Sequence, residues 1–366
     1  VSSFDSRIRK ITPEGNITIF LGTGMAGQTN GNISTATMQV SFGMVWYKGD
    51  FYFSDRHKIR MVSDNVVSDY AGTGATGALD NINRLNATFF DLRGLVADSQ
   101  GNFYVADFGN KKIRKIVRSN GNVITIAGSG NSTILDGIGV DASFGSPQHL
   151  ILDPSETHLF VLESLNCVLR KINLTNFQVT TVAGSKCGIE DGLGTAAKFY
   201  LDGGAFDSYG NLYVSGANSV SRLTPVGDSF YAEHIGGTFS GGNINGIGFN
   251  TRFSLIFAAL FRNNTILFAE YGNNLIRAMY PTCFGLDASE TNVCGGHGQC
   301  VSPNTCICDS GYTRANCTLF TCFGVASTSA SVCSGHGSCI AKDTCSCVGA
   351  VGSQCETHTC FGIPST

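Results

Sequence analysis

A chain of 366 residues with 27 Asp and Glu against 24 Lys and Arg has a formal net charge of −3, and only 14% of its residues are charged. It is longer than the roughly 100–200 residues of one ordinary domain, and 25 Phe and 11 Tyr provide material for a large core. No Lys/Arg run or basic stripe is present, which speaks against nucleic acid held through its phosphates, and the longest apolar stretch, Phe253–Phe261, falls far short of the ~20 residues of a membrane-spanning helix.

The chain opens V-S-S-F-D-S-R-I-R-K-I, with no apolar segment after a basic start, so it does not read as a signal peptide. Processing or truncation would explain that, and it is no argument for the cytosol. Two other features indicate the compartment. Thirteen of the fifteen Cys lie between Cys283 and Cys360, the density of disulfide-stapled secreted modules. Seven N-x-S/T acceptors, Asn16, Asn32, Asn86, Asn131, Asn173, Asn263 and Asn316, fit a surface carrying N-linked glycans. An extracellular location is expected, at a cell or flagellar surface.

Residues 1–281 repeat. The phrase Ile8-R-K-I returns as Ile59-R-M-V, Ile113-R-K-I, Leu169-R-K-I, Val220-S-R-L and Ile276-R-A-M, at intervals of 51, 54, 56, 51 and 56 residues. An apolar-aromatic run precedes each phrase after the first, as in G-N-F-Y-V-A-D, and a run closing in Gly usually follows, as in V-I-T-I-A-G-S-G. With an opening run such as L-R-G-L-V-A-D, each unit holds four short β segments separated by Gly, Asn and Asp turns. Four strands at this spacing describe propeller blades; a β-solenoid or tandem sandwich array is the alternative.

The passage G-N-F-Y-V-A-D-F-G-N-K-K-I-R-K-I, then V-I-T-I-A-G-S-G and D-G-I-G-V-D-A-S-F, resembles an NHL repeat, and the next unit matches with V-T-T-V-A-G and D-G-L-G-T-A-A-K-F. The resemblance covers residues 1 to about 280 and implies a six-bladed β-propeller. Val1–Ile8 then corresponds to the end of a second strand running into a third, and Phe253–Tyr280 holds three strands of a last blade. A strand upstream of Val1 is therefore expected to close the ring. Cys167 and Cys187, 20 residues apart within one blade, are expected to form a disulfide; two separate buried thiols are the alternative.

From Cys283 the spacing is C-x10-C-x5-C-x5-C-x-C-x8-C to Cys317, and from Cys322 it is C-x10-C-x5-C-x5-C-x-C-x7-C to Cys355. Six Cys allow 15 pairings. The inner texts C-G-G-H-G-Q-C, C-S-G-H-G-S-C and C-I-C-D-S-G-Y resemble EGF-like domains of the teneurin and tenascin style. That resemblance implies Cys283–Cys300, Cys294–Cys306 and Cys308–Cys317, then Cys322–Cys339, Cys333–Cys345 and Cys347–Cys355. The expected modules are 282–318 and 319–356. Thr-Cys-Phe-Gly opens each module and recurs at Cys360, so 357–366 is read as the start of a third, with the partner of Cys360 beyond the chain end. The fold class expected is all-β, a propeller followed by small disulfide-rich modules.

No cofactor or metal is expected. Zinc at C-x-C with His297 or His336 lacks paired C-x2–4-C knuckles; the two G-H-G triplets are read as tight turns. The segments before the first Cys of each module, M-Y-P-T-C and L-F-T-C, lack the carboxylates of calcium-binding EGF modules. D-G-x-G at Asp136 and Asp191 lacks the P-loop Lys and the EF-hand ligand series and reads as an inter-blade turn. His149 is the lone His of a first-strand phrase, and no Ser-His-Asp set can be assembled without geometry. Ser338 fits the C-x4-S/T-C pattern of O-fucosylated modules.

The expected function is non-catalytic: a structural glycoprotein that self-associates into a surface filament or matrix. EGF-rich glycoproteins of this sort resemble components of tubular mastigonemes, the flagellar hairs of heterokont algae. The ectodomain of an adhesion protein or receptor is the alternative, and a channel-type propeller hydrolase or lyase a third.

Overall fold

The computed structural model describes residues 2–3, 5–12, 14–39, 41–207, 209–246, 248–262, 265–280, 282–283, 286–287, 290–302, 305–360 and 363–364. It contains β-strands and single-turn 3-10 segments, with no α-helix among the described residues. Two compact units result, Val1–Phe261 with Leu267–Arg277, and Arg262–Ile266 with Ala278–Thr366.

Residues 2–279 form six antiparallel sheets, each a meander in chain order, which is the blade arrangement of a propeller. Blade 3 is complete: Leu92–Ala97 innermost, then Phe103–Asp107, Lys112–Ile116 and Val123–Ala127 outermost. Blades 2, 4 and 5 repeat it. The first sheet contains Ser2–Ser3, Arg7–Ile11 and Ile17–Leu21, and the last Ile256–Arg262, Thr265–Glu270 and Leu275–Met279.

Three sheets have a fifth, two-residue strand that four segments per unit did not anticipate. Gly31–Asn32, Gly137–Ile138 and Gly192–Leu193 leave one blade and pair with the outermost strand of the next. In blade 3 a single bridge between Asn81 and Val123 takes that place. Each connection thus ties neighbouring blades before the chain turns inward.

Packing explains the composition. Second strands are buried on both faces, as in Phe103–Asp107, so they read as continuous apolar runs instead of alternating. Between blades 3 and 4, Tyr104, Ile113 and Ile126 meet Phe144, Leu159, Val161 and Ile172 in one cluster. Phe89, Phe144 and Phe199, each at most 1% exposed, occupy equivalent inter-blade places. The A-G that closes the outer strands of blades 2, 3 and 4 serves these wedges: Gly128 has φ +102°, and a Cβ there would lie 2.5 Å from Lys111 O and 3.1 Å from Phe144. Only glycine satisfies both demands.

In the second unit, two modules repeat one plan: a 3-10 turn, Val293–Gly296 or Val332–Gly335, followed by a hairpin, Gly298–Ser302 with Thr305–Cys308 or Gly337–Ala341 with Thr344–Cys347. Their cores are mostly sulfur: Cys283, Cys294, Cys300 and Cys317 are buried with Val293. Modules this small depend on such staples.

Candidate functional site

The meander places the turns between second and third strands at one end of every blade, with the connection into the next inner strand. This end is the mouth of the central channel, whose wall the inner strands form. They approach closely because Gly43, Gly94 and Gly203 face neighbouring backbone; a Cβ on Gly43 would lie 2.3 Å from Arg93 O, and one on Gly203 would lie 2.6 Å from the Ala258 Cα.

Beneath the mouth lies a ring of struts. Arg114, fully buried, donates from Nη1 to Asp107 Oδ2 at 2.7 Å and from Nη2 to Leu79 O at 3.0 Å, while its Nε reaches Asp80 Oδ1 at 3.0 Å. Its guanidinium lies 5.0 Å over Phe89. Arg60 does the same with Asp55 at 2.8 Å, and Arg170 with Glu163 at 2.9 Å. Arg277 stands in line with Glu270 at 3.5 Å. Burial pushes Asp107 up, opposed by hydrogen bonds from Asn110, the Phe90 amide and Arg114. These are structural charges, each paired and hydrogen-bonded as burial requires. Blade 5 has Ser221 where Arg114 stands and Gly216 where Asp107 stands, so the pair is absent as a unit and neither charge is stranded.

Asp136 of the first D-G-x-G belongs to this system. Its Oδ1 accepts from Arg170 Nη2 at 2.9 Å and its Oδ2 from the Thr181 amide at 3.0 Å. Asp191 accepts from the His234 amide at 2.7 Å. Both carboxylates therefore serve the inter-blade turn.

At the mouth the chemistry differs. Arg93 projects from the inner strand of blade 3 with its guanidinium 3.7 Å over Phe108 and 4.9 Å over Phe42. It donates to Gln148 Oε1 at 2.9 Å and, more loosely, to Asp91 Oδ2 at 3.3 Å; its Nε is buried without a partner. Lys111, left-handed at φ 56°, lies on the same Phe108 ring at 4.2 Å. Burial lowers its pKa, and Arg93 adds to the effect. His149 is half-buried beside them, its pKa pushed down to about 4, first by burial and then by Arg93. It is neutral at physiological pH, and no carboxylate partners it among the described residues.

The sequence did not single out Arg93, Lys111, Phe108 or Gln148. A signal was present: the second position of the inner-strand phrase is polar in blades 3, 4 and 5, as Arg93, Gln148 and Asp202.

The structure bonds Cys167 to Cys187 within blade 4. In the modules it bonds Cys283 to Cys300, Cys294 to Cys306, Cys308 to Cys317, Cys322 to Cys339, Cys333 to Cys345 and Cys347 to Cys355. The side chain of Cys360 lies outside the described residues. Sulfurs of Cys283, Cys294 and Cys306 gather within 4.8 Å of one another, as do those of Cys322, Cys333 and Cys345. All six are in bridges, and a bridged sulfur offers no thiolate to a metal. The G-H-G triplets follow the 3-10 turns, and their second glycines are obligatory: a Cβ on Gly298 would sit 2.8 Å from Cys317 Sγ and 2.5 Å from Ile307 O. His297 stacks on Tyr312 at 3.8 Å.

Asn16, Asn32, Asn86 and Asn131 are exposed, and Asn173 and Asn316 half-buried; Asn263 lies outside the described residues. Asn32 Oδ1 accepts from the Ser34 amide, Asn173 Oδ1 from the Thr175 amide and Asn316 Oδ1 from Thr318 Oγ1, at 3.0, 2.8 and 2.8 Å. In these three the carboxamide oxygen is occupied by the acceptor motif itself. Ser338 is exposed on its hairpin.

Residues 287–317 match the EGF-like domain family. No curated protein matches the chain. Among solved structures, a protein of unknown function from Bacteroides thetaiotaomicron is similar at 17% identity, over 70% of this chain and 73% of that one, with a TM-score of 0.45. A nidogen/laminin complex is similar at 14% identity, over 76% and 88%, with a TM-score of 0.49. Virginiamycin B lyase from Staphylococcus aureus is similar at 12% identity, over 75% and 78%, with a TM-score of 0.43. The class of the protein follows from its own sheets and bridges: an extracellular all-β chain, propeller first and then a disulfide-rich region with an EGF-like domain. Among the described residues no helix is long and apolar enough to cross a membrane.

Proposed function

We propose that this chain is part of a non-catalytic extracellular structural glycoprotein, acting by protein–protein contact and self-associating into a surface filament or matrix. One observation carries the reading. The segment between the two modules, Leu319–Cys322, is a strand paired on one side with Tyr312–Thr313 of the first module and on the other with Val325–Ala326 of the second. The Thr321 amide also donates to Gly311 O, and the Asp343 amide to Thr321 O. Successive modules are therefore coupled through backbone hydrogen bonds, where a flexible tether would leave them independent. Serial coupling of this kind suits a shaft.

The ionisable groups support a non-catalytic role. Asp55, Asp107 and Glu163 are occupied by arginines in the struts, and among the described residues no acid orients His149. The propeller supplies a face for lateral contact, and N-glycans on the exposed acceptors supply solubility. The specific form we propose is a mastigoneme-like flagellar hair, resting on the resemblance of the EGF-rich array to such fibres. Immunogold labelling of intact source cells with antibody against this chain tests it. Label along surface fibres is expected; label confined to intracellular membranes contradicts it.

A further inference from the structure

We propose that the mouth of the propeller channel is a carboxylate-binding site that receives an acidic side chain of a partner protein, clamped between Arg93 and Lys111. This rests on the reading of the propeller as a contact module, and it adds the site and the chemistry of what it contacts.

Arg93 and Lys111 place two cations on one aromatic ring, Phe108, at 3.7 and 4.2 Å. Both are half-buried, where their repulsion is screened less than at an open surface. The strut arginines each have a fully or nearly fully buried carboxylate, but here the compensation is incomplete. Among the described residues Asp91 is the one carboxylate within ion-pair distance of Arg93, by a single oxygen at 3.3 Å, longer than the usual 2.7–2.9 Å of a charge-assisted bond. No carboxylate lies within ion-pair distance of Lys111 among the described residues, and the Arg93 Nε is buried with no acceptor. A bound carboxylate would relieve the repulsion between the two cations.

The site is also built to hold still. Phe42 and Phe108 both lie against the guanidinium, and Gln148, 5% exposed, fixes it from the next blade. Preorganisation of this kind is what a binding site needs and a solvated surface cation lacks. The rim favours a protein over a sugar acid: Leu165, 74% exposed, and Phe90, 41% exposed, stand on the same turns and inner-strand approaches. A peptide with an aliphatic residue beside its acid would cover both kinds of surface.

The test uses the whole 366-residue chain and three probes: an acetylated, amidated pentapeptide with one Asp flanked by Leu, its Asn counterpart, and sodium glucuronate. Binding is followed by NMR shift perturbation. The Asp peptide is expected to bind at least about tenfold more tightly than the Asn peptide, and to weaken with added NaCl. Lys111→Gln and Arg93→Gln should each weaken it several-fold, Lys111→Gln with an unchanged melting temperature, which separates loss of the site from loss of the fold. Equal binding of the Asp and Asn peptides, no binding of either, or unchanged binding by Lys111→Gln overturns the site. Glucuronate binding as tightly as the Asp peptide overturns the assignment to a protein partner. Should the peptide fail while the full-length protein still forms fibres, this site falls and the structural role stands.

Discussion

Arg114 and Asp107 meet 2.7 Å apart with neither side chain exposed to solvent, one from the third strand and one from the second of the same blade. The same relationship joins Arg60 to Asp55 and Arg170 to Glu163. Each arginine then reaches carbonyls of the connection from the preceding blade, so the pair fastens two blades together. Removing one partner leaves the other charge buried. Arg114→Ala is expected to destabilise the chain by about 3–5 kcal/mol, read from denaturant unfolding. The double variant Arg114→Ser with Asp107→Gly, copying Ser221 and Gly216 of blade 5, should lose less than the sum of the two single changes. Additive losses would contradict the coupling.

His149 gives the fold a pH signature. Its imidazole is held at about 4 against an ordinary 6.5, so between those values the unfolded chain binds the proton and the folded chain does not. Above 6.5 both forms are neutral and the effect is constant. As pH falls from 6.5 to about 4 stability is lost, by an amount on the order of 2–3 kcal/mol. His149→Phe, matching Phe257 at the equivalent place in blade 6, should remove that component. The check is the difference between variant and wild-type melting temperatures across this range; a difference that does not change with pH would contradict it.

In the modules, Gly298 and Gly337 back onto the last bridge of each. A Cβ on Gly337 would lie 2.7 Å from Cys355 Sγ and 2.5 Å from Ser346 O. Gly298→Ala is therefore expected to hinder Cys308–Cys317 and leave those two sulfurs open to alkylation. Peptide mapping after iodoacetamide treatment without reductant reads this directly, and fully protected cysteines would refute it.

Glycan placement is the remaining chemical expectation. Asn16, Asn32, Asn86 and Asn131 should carry N-glycan, as should Asn173 and Asn316, whose oxygens already engage their own motif residues. Enzymatic deglycosylation in heavy-oxygen water, followed by mass spectrometry, counts occupied sites. Peptides unmodified at all six would remove the glycoprotein assignment, and a Ser338 peptide without deoxyhexose would remove the O-linked one.

The blades were legible because β structure writes itself in short apolar runs, and the I-R-K-I phrase fixes their phase. That phrase even carried blade 5 correctly: Val220-S-R-L puts Ser221 in the strut position and turns Arg222 outward to Glu233 at 2.6 Å. The cysteine ladder was legible because one six-cysteine spacing occurs twice. The two-residue strands of Gly31–Asn32 and its equivalents were not, since so short a pairing leaves no periodicity. Nor was the mouth. Arg93 and Lys111 are 18 positions apart, one on the inner strand and one in the turn before the third strand, and only the meander brings them onto Phe108. The strut carboxylates were hidden likewise, because an acid closing an apolar run reads as a turn residue until its arginine is seen.

On the proposed function this protein works by assembly. Negative-stain electron microscopy of the full-length protein, purified with its bridges intact and concentrated in steps, tests that most directly. Fibres are expected whose abundance rises with concentration and that dissolve when the disulfides are reduced. Dispersed single particles at every concentration would contradict it.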